Sequence, residues 1–364
     1  MNANYFDHAA TTPVDPHVVA AMLPYLTEGY GNANSLHSWG RQARDAVERA
    51  RERVAALIHA GDSNEIVFTS GATEGNNWVV RAHDDVAISP FEHNSVREPA
   101  LALGKQILGN RGGYELEWGT AHPRNGRFDL VAIMAVNNET GAILPVGIAD
   151  QGDTMHCDAT QAIGKIPFRA TETQYASMSA HKFYGPKGIG ALYIEGGHFM
   201  EPLLFGGEHE DGRRAGTLNV PGIVGMGEAA LIAADRQPAD FAHARSLRQL
   251  VLNELESLSD WQENRGEGQS PFILSLSFAG VEGETLVIEA DHRGFAISSG
   301  SACSSRSHEP SHVLTALRVP PELMRGTVRL SFGRANSEDS ARDLSRSLAD
   351  IVESLRKLRS FPPK

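Results

Sequence analysis

From Ser38 to Ile58 apolar side chains recur at Trp39, Ala43, Ala46, Val47, Ala50, Val54, Leu57 and Ile58, with arginine and glutamate between them. That spacing predicts a helix with one face turned inward. Short apolar runs then alternate with helix-like stretches: Glu65 to Thr69, Val86 to Ser89, Leu130 to Val136, Thr154 to Cys157, Tyr175 to Met178 and Gly190 to Ile194. Runs this short and apolar on both faces suit a mostly parallel sheet covered by helices, so this part of the chain reads as an α/β unit.

A helix-like stretch near Val220 to Ala234 runs into the polar segment Asp235-Arg236-Gln237-Pro238-Ala239-Asp240, which reads as a break. Beyond it Phe241, Ala244, Leu247, Val251, Leu255 and Leu258 form the stripe of a long amphipathic helix. Strands are expected at Phe272 to Phe278, Phe295 to Ser298 and Thr327 to Phe332. A last helix is expected from Ser337, with Glu338 and Asp339 in its first turn and Arg356, Lys357 and Arg359 near its end. The pattern divides the chain into a large α/β domain over 13–239 and a smaller α+β domain built from 1–12 and 240–364.

Composition narrows the classes. The 364 residues exceed the usual single core, and a net charge of −12 repels nucleic acid and anionic membranes. No apolar run reaches membrane-spanning length, and the N-terminus lacks a basic stretch followed by an apolar one. Cys157 and Cys303 are the two cysteines, and their dissimilar settings supply neither a disulfide framework nor zinc-type spacing. The expectation is a cytoplasmic protein with no metal and no nucleic acid or membrane partner.

The candidate chemistry centres on Lys182, in Ser179-Ala180-His181-Lys182-Phe183-Tyr184-Gly185, and on Asp158 after an apolar run. A lysine can hold the aldehyde of pyridoxal phosphate as a Schiff base, and a carboxylate can keep the pyridine nitrogen protonated. Taken singly, the lysine reads as a surface charge and the aspartate as a buried cap or ion-pair member. Ser70-Gly71-Ala72-Thr73-Glu74-Gly75-Asn76 follows a strand and opens a helix, where backbone N–H groups can hold a phosphate. His93 and Gln161 are neutral candidates for lying over the ring and for hydrogen bonding its phenolic oxygen. Arg329, a cation in an apolar strand, suits either a structural ion pair or a grip on a substrate carboxylate. Cys303 lies in a Ser/Gly-rich stretch expected to form an exposed, travelling loop, whereas Cys157 reads as buried and inert.

These residues resemble group I cysteine desulfurases, a branch of the class V aminotransferases among fold-type I pyridoxal phosphate enzymes. The matching motifs are Asp7 to Pro13, Thr69 to Glu74, Glu92-His93-Asn94, Val136 to Gly141, Asp158 to Gln161, the lysine segment, Arg214-Ala215-Gly216-Thr217, Ser298 to Cys303, and Arg329. The resemblance implies a seven-stranded, mostly parallel sheet. It implies Lys182 as cofactor anchor, Asp158 on the pyridine nitrogen, His93 on the ring as a proton mover, and Gln161 on the phenolic oxygen. Ala72, Thr73, Ser179 and His181 would hold the phosphate, with Thr217 supplied by the second subunit of a homodimer. Asn138 and Arg329 would orient L-cysteine, Cys303 would take its sulfur as a persulfide, and L-alanine would leave. A sulfur-acceptor protein would follow, in iron–sulfur cluster assembly or another sulfur route. Selenocysteine cleavage and transamination are the rivals on the same fold, and a non-catalytic sulfur carrier is the rival of another class.

Overall fold

The computed structural model describes residues 2–146, 154–300 and 310–359. Its central sheet is built from β1 (Ile66–Thr69), β2 (Val86–Ile88), β3 (Gln106–Ile107), β4 (Leu130–Ala132), β5 (Met155–Asp158), β6 (Tyr175–Ser179) and β7 (Gly190–Ile194). The spatial order is β1-β7-β6-β5-β4-β2-β3. Pairings from β3 across to β6 are parallel, and only β7, between β6 and β1, runs against its neighbours. The mostly parallel seven-stranded sheet is thus present. Its inner strands are buried on both faces, which is why they read as unbroken apolar runs.

The helices that cover it include α1 (Pro16–Thr27), α2 (Ser38–Leu57), α3 (Ala72–Ala82) and α4 (Asn94–Ala102). Helix α1 starts with Pro16 behind Asp15, whose carboxylate accepts the His17 N–H. Helix α2 buries Ala43, Ala46, Val47, Ala50 and Val54 as its spacing predicts, but Trp39 at its start is exposed.

Helix α5 (Val220–Leu255) corrects the expected break at Asp235 to Asp240. The helix runs straight through Pro238. Its first half buries Ile223, Met226, Ala230 and Ala233 in the core of the large sheet, and its second half buries Ala244, Leu247, Val251 and Leu255 in a separate core. The polar segment is the crossing between cores. Gln237 donates to Ile166 O and buried Asp240 accepts from Arg334, so these polar residues have partners without leaving the helix.

The second core backs a four-stranded antiparallel sheet of β8 (Trp261–Glu263), β9 (Ile273–Phe278), β10 (Ser298–Ser299) and β11 (Thr327–Ser331), in the order β8-β9-β11-β10. Around it pack α6 (Gly283–His292), α8 (Pro321–Met324) and α9 (Glu338–Arg359), whereas α7 (His312–Ala316) sets Val313 into a cluster with Phe91, Leu108 and Ile133 of the large domain. Ser337 accepts the Ser340 N–H at 3.1 Å and so caps α9 as expected. The strand expected at Phe295 to Ser298 is displaced to β10, because Ala296 bridges Tyr5 of the N-terminal segment instead. That segment also pairs Asp7 with Ser331, which carries residues 5–10 between the two sheets. The run expected at Leu130 to Val136 ends its regular pairing at Ala132, although Ile133 and Ala135 still donate to His156 and Asp158.

Candidate active site

A cavity of about 280 Å³ opens at the carboxyl ends of the parallel strands, the position at which open α/β sheets hold ligands. Asp158 ends β5 and Ser179 ends β6, while Ala72 and Thr73 begin α3 and His93 caps α4. Asn138 follows β4, and Arg329 reaches the cavity from β11 of the small sheet. Ten of the sequence's candidates line this one space: Ala72, Thr73, His93, Asn138, Asp158, Gln161, Ser179, His181, Lys182 and Arg329. Thr217 is exposed and does not line it. Cys303 lies outside the described residues. Cys157 is fully buried, as expected of an inert thiol.

The phosphate turn is built by backbone packing. A side chain at Gly190 of β7 would sit 2.3 Å from Met178 O and 2.6 Å from Gly71 Cα, so only glycine lets this strand pass beneath the turn. No side chain caps α3 at Gly71. Its first N–H, from Ala72, donates to Ser179 Oγ at 2.8 Å, and Glu74 accepts the Ser70 N–H at 2.8 Å. The Arg214 guanidinium forks onto Glu74 at 2.8 and 3.1 Å, tying the segment that carries Thr217 to this turn. A helix start lined by hydroxyls, with neutral His181 beside it, suits an anion. His181 is neutral because burial, then nearby Lys182, Lys187 and Lys165, lower it to about 4.

Lys182 Nζ donates to Ala9 O at 2.7 Å and Ala10 O at 2.8 Å, so the N-terminal segment holds the amine. Asp158 is nearly enclosed. Its Oδ1 accepts the Thr160 N–H at 3.0 Å and its Oδ2 accepts Asn76 Nδ2 at 2.8 Å. Gln161 donates to Ala9 O at 2.9 Å and accepts from Lys165 at 2.6 Å. Arg329 is both ion-pair member and cavity wall: it donates to Asp7 Oδ1 at 2.8 Å and to Asn138 O at 3.0 Å. Among the described residues its Nε and the Thr160 Oγ1 are buried without a partner, although both residues face the cavity.

Pyridoxal phosphate fits this donor set. There is an amine for its aldehyde, a carboxylate for its pyridine nitrogen and a helix start for its phosphate, and two unpaired polar atoms stand in the walls.

Sequence reasoning missed Lys165, Asn76, Glu92 and Glu139. Burial, then the charges of Lys182 and Arg329, lower Lys165 to about 7. Burial pushes Glu139 up to about 7, against a hydrogen bond from Ser311 Oγ at 2.6 Å. Glu92, beside His93, is pushed by burial up to about 8 despite bonds from Ser89 Oγ and the Met134 N–H. Asn76, Glu92 and Glu139 stand inside segments quoted above and Lys165 four residues after Gln161, but only burial reveals their state. A carboxyl raised in the folded state binds its proton more tightly there than in the unfolded chain. Glu92 therefore contributes stability fully below its unfolded value near 4.5 and loses it as pH rises to about 8. Glu92→Gln should erase that slope. Urea midpoints of the two proteins should draw apart between these pH values in the variant's favour, and parallel curves would contradict the assignment.

Comparisons with known proteins place the whole chain rather than its single residues. The aminotransferase class-V family description matches residues 4–344. The cysteine desulfurase IscS of Dictyoglomus turgidum is 39% identical over 389 residues, covering 99% of this chain and 96% of that protein. The cysteine desulfurase IscS of Anaeromyxobacter dehalogenans is 42% identical over 392 residues, covering 99% and 94%. Among solved structures, a NifS-like protein superposes with TM-score 0.88 at 34% identity, covering 97% of this chain and 100% of that one. The apo cysteine desulfurase of Thermococcus onnurineus NA1 gives 0.83 at 25% identity, covering 97% and 95%.

Proposed function

The chain belongs to the aminotransferase class-V family, within which it is a group I cysteine desulfurase, and from that premise we propose how its residues share the work. The observation that carries the assignment is the meeting of ten candidate residues, drawn from both sheets, on one cavity. When bound there, pyridoxal phosphate supplies an aldehyde that takes amines covalently and a ring that accepts electrons. Lys182 would anchor the aldehyde, and its amine is the group placed to take the α-proton. Asp158 holds a proton at the pyridine nitrogen, with Asn76 and the Thr160 N–H keeping its two oxygens in place. Gln161 presents its amide NH₂ to the phenolic oxygen, because Lys165 occupies its carbonyl. Ala72, Thr73, Ser179 and His181 hold the phosphate. His93, in the same cavity wall, would hold the ring and move protons there.

Asn138 and Arg329 orient the L-cysteine carboxylate. Arg329 then exchanges part of its hold on Asp7 for the substrate. Cys303 as thiolate attacks the substrate sulfur, so a sulfur–sulfur bond forms as the carbon–sulfur bond breaks. L-Alanine leaves and the persulfide passes to an acceptor protein. The 13–239 domain supplies the cofactor seat, and the small domain of 1–12 and 240–364 supplies the arginine and the thiol. Thr217, exposed in its own chain, completes the phosphate site of a second copy in a homodimer. The exposed Leu23, Leu26 and Tyr30 on and after α1 give that copy an apolar face to cover. The cytoplasmic setting expected from the cysteine usage belongs to the same proposal; among the described residues no helix is long and apolar enough to cross a membrane.

The test is incubation of the purified protein with L-cysteine and a reductant. Equal release of alanine and sulfide is expected, with a visible cofactor absorbance that borohydride bleaches. A protein that carries that absorbance but releases no alanine would overturn the proposal. Arg329→Lys is expected to raise KM for L-cysteine about 10- to 100-fold, because an ammonium cannot make the paired hydrogen bonds of a guanidinium. An unchanged KM would leave Arg329 with only its Asp7 pairing.

A further inference from the structure

Asn76 and Ser95 lie outside the motif roles, yet they join two residues that carry them. Asn76 stands fully buried on the second turn of α3. Its Nδ2 donates to Asp158 Oδ2 at 2.8 Å and to Ser95 Oγ at 2.7 Å. Ser95 Oγ in turn lies 2.8 Å from His93 Nδ1, and the Ser95 backbone N–H donates to the same nitrogen at 3.1 Å.

Chemistry dictates where the protons of this chain sit. A carboxylate only accepts, so Asn76 turns its NH₂ and not its carbonyl toward Asp158, and its second amide proton goes to Ser95 Oγ. The serine oxygen has one proton of its own left to place. His93 Nδ1 receives a backbone N–H, so it carries a lone pair, and the serine proton goes there too. The proton of the neutral ring is then on Nε2.

Resting on the proposed placement of His93 at the cofactor, we infer that Asn76 and Ser95 are positioning residues that hold His93 in its Nε2–H tautomer and tie its ring to the Asp158 carboxylate. Two donors aimed at Nδ1 oppose its protonation, so the ring works as a neutral donor through Nε2 and not as an imidazolium. The Asn76 carbonyl is left buried without a partner, a cost that an apolar filler on this turn of α3 would avoid. Only the NH₂ end of Asn76 explains its presence.

The experiment uses the holoenzyme labelled with [15N]histidine, with His93→Gln to assign the His93 signals. The expected spectrum has Nδ1 unprotonated and Nε2 protonated throughout neutral pH. In Ser95→Ala, where the longer backbone N–H bond alone is left on Nδ1, the two nitrogens should move part of the way toward averaged values, with kcat for L-cysteine falling about fivefold and KM changing less than about twofold, the scale of one lost hydrogen bond. Ser95→Thr should restore both. A wild-type ring protonated at Nδ1, or a Ser95→Ala spectrum identical to the wild type, overturns the inference. An inactive wild-type holoenzyme would count against the proposed function instead, and the tautomer reading would still decide this one.

Discussion

Lys182→Ala is expected to lower alanine release from L-cysteine by about 10,000-fold, the upper end for loss of a positioned acid–base group. Two carbonyls, Ala9 O and Ala10 O, hold the amine at the cavity wall, so no neighbour can take its place without moving the N-terminal segment. Lys165 is close enough to feel the charge of Lys182, but its amine is committed to Gln161 Oε1. The cofactor should still bind through Asp158 and the phosphate turn, now dialysable and without a borohydride-stable link. Cys303→Ser should behave in the opposite way, keeping the covalently held cofactor and its visible absorbance while releasing no alanine. The pair of variants separates anchor from nucleophile. Full turnover in either protein, scored by alanine and by absorbance after dialysis, would remove that residue from the chemistry.

Glu210→Ala is expected to cost about 3 kcal/mol of stability, read from urea unfolding, because it leaves the buried Arg51 guanidinium with only the half-exposed Glu48 and the Ile66 carbonyl as partners. The Arg51 side chain on α2 is 7% exposed and that of Glu210 is 0% exposed. The carboxylate accepts from Arg51 at 2.8 and 2.9 Å and from the Phe68 N–H at 2.9 Å, and Arg51 also donates to Ile66 O. Thus one pair pins the loop leading to Thr217 against the edge strand β1. Replacing both charges together, as Arg51→Met with Glu210→Leu, should recover much of the loss, since only Glu48, whose side chain is half exposed to water, then loses a partner. A Glu210→Ala loss under about 1 kcal/mol would mean that water reaches the arginine.

Much of the site could be read from the chain because its parts are local. A strand followed by Ser-Gly-Ala-Thr makes a helix start, and an aspartate ending an apolar run stands at a strand's end, whatever else the molecule does. The strands of the large sheet were legible for the same reason, since burial on both faces leaves an apolar run. Helix α5 was not. Its polar crossing looks like a linker unless one knows that Arg334, 94 positions from Asp240, is there to pair with it. Lys165, Glu92 and Asn76 were equally opaque, because a polar residue beside a motif has the same letters whether it faces water or a closed wall.

The order of motifs along this chain, together with its apolar periods, determined the fold class and the family, and it singled out the candidates for cofactor and anchor lysine. Those depend on residue type and on backbone geometry spanning a few neighbours. Tertiary structure alone decided which polar groups are enclosed and what they touch: Arg329 on Asp7 across 322 positions, Lys165 on Gln161, and Asn76 between Asp158 and Ser95. The physical reason is that charge state and hydrogen-bond direction follow the local dielectric and the nearest partner. Both are properties of neighbours brought together by folding.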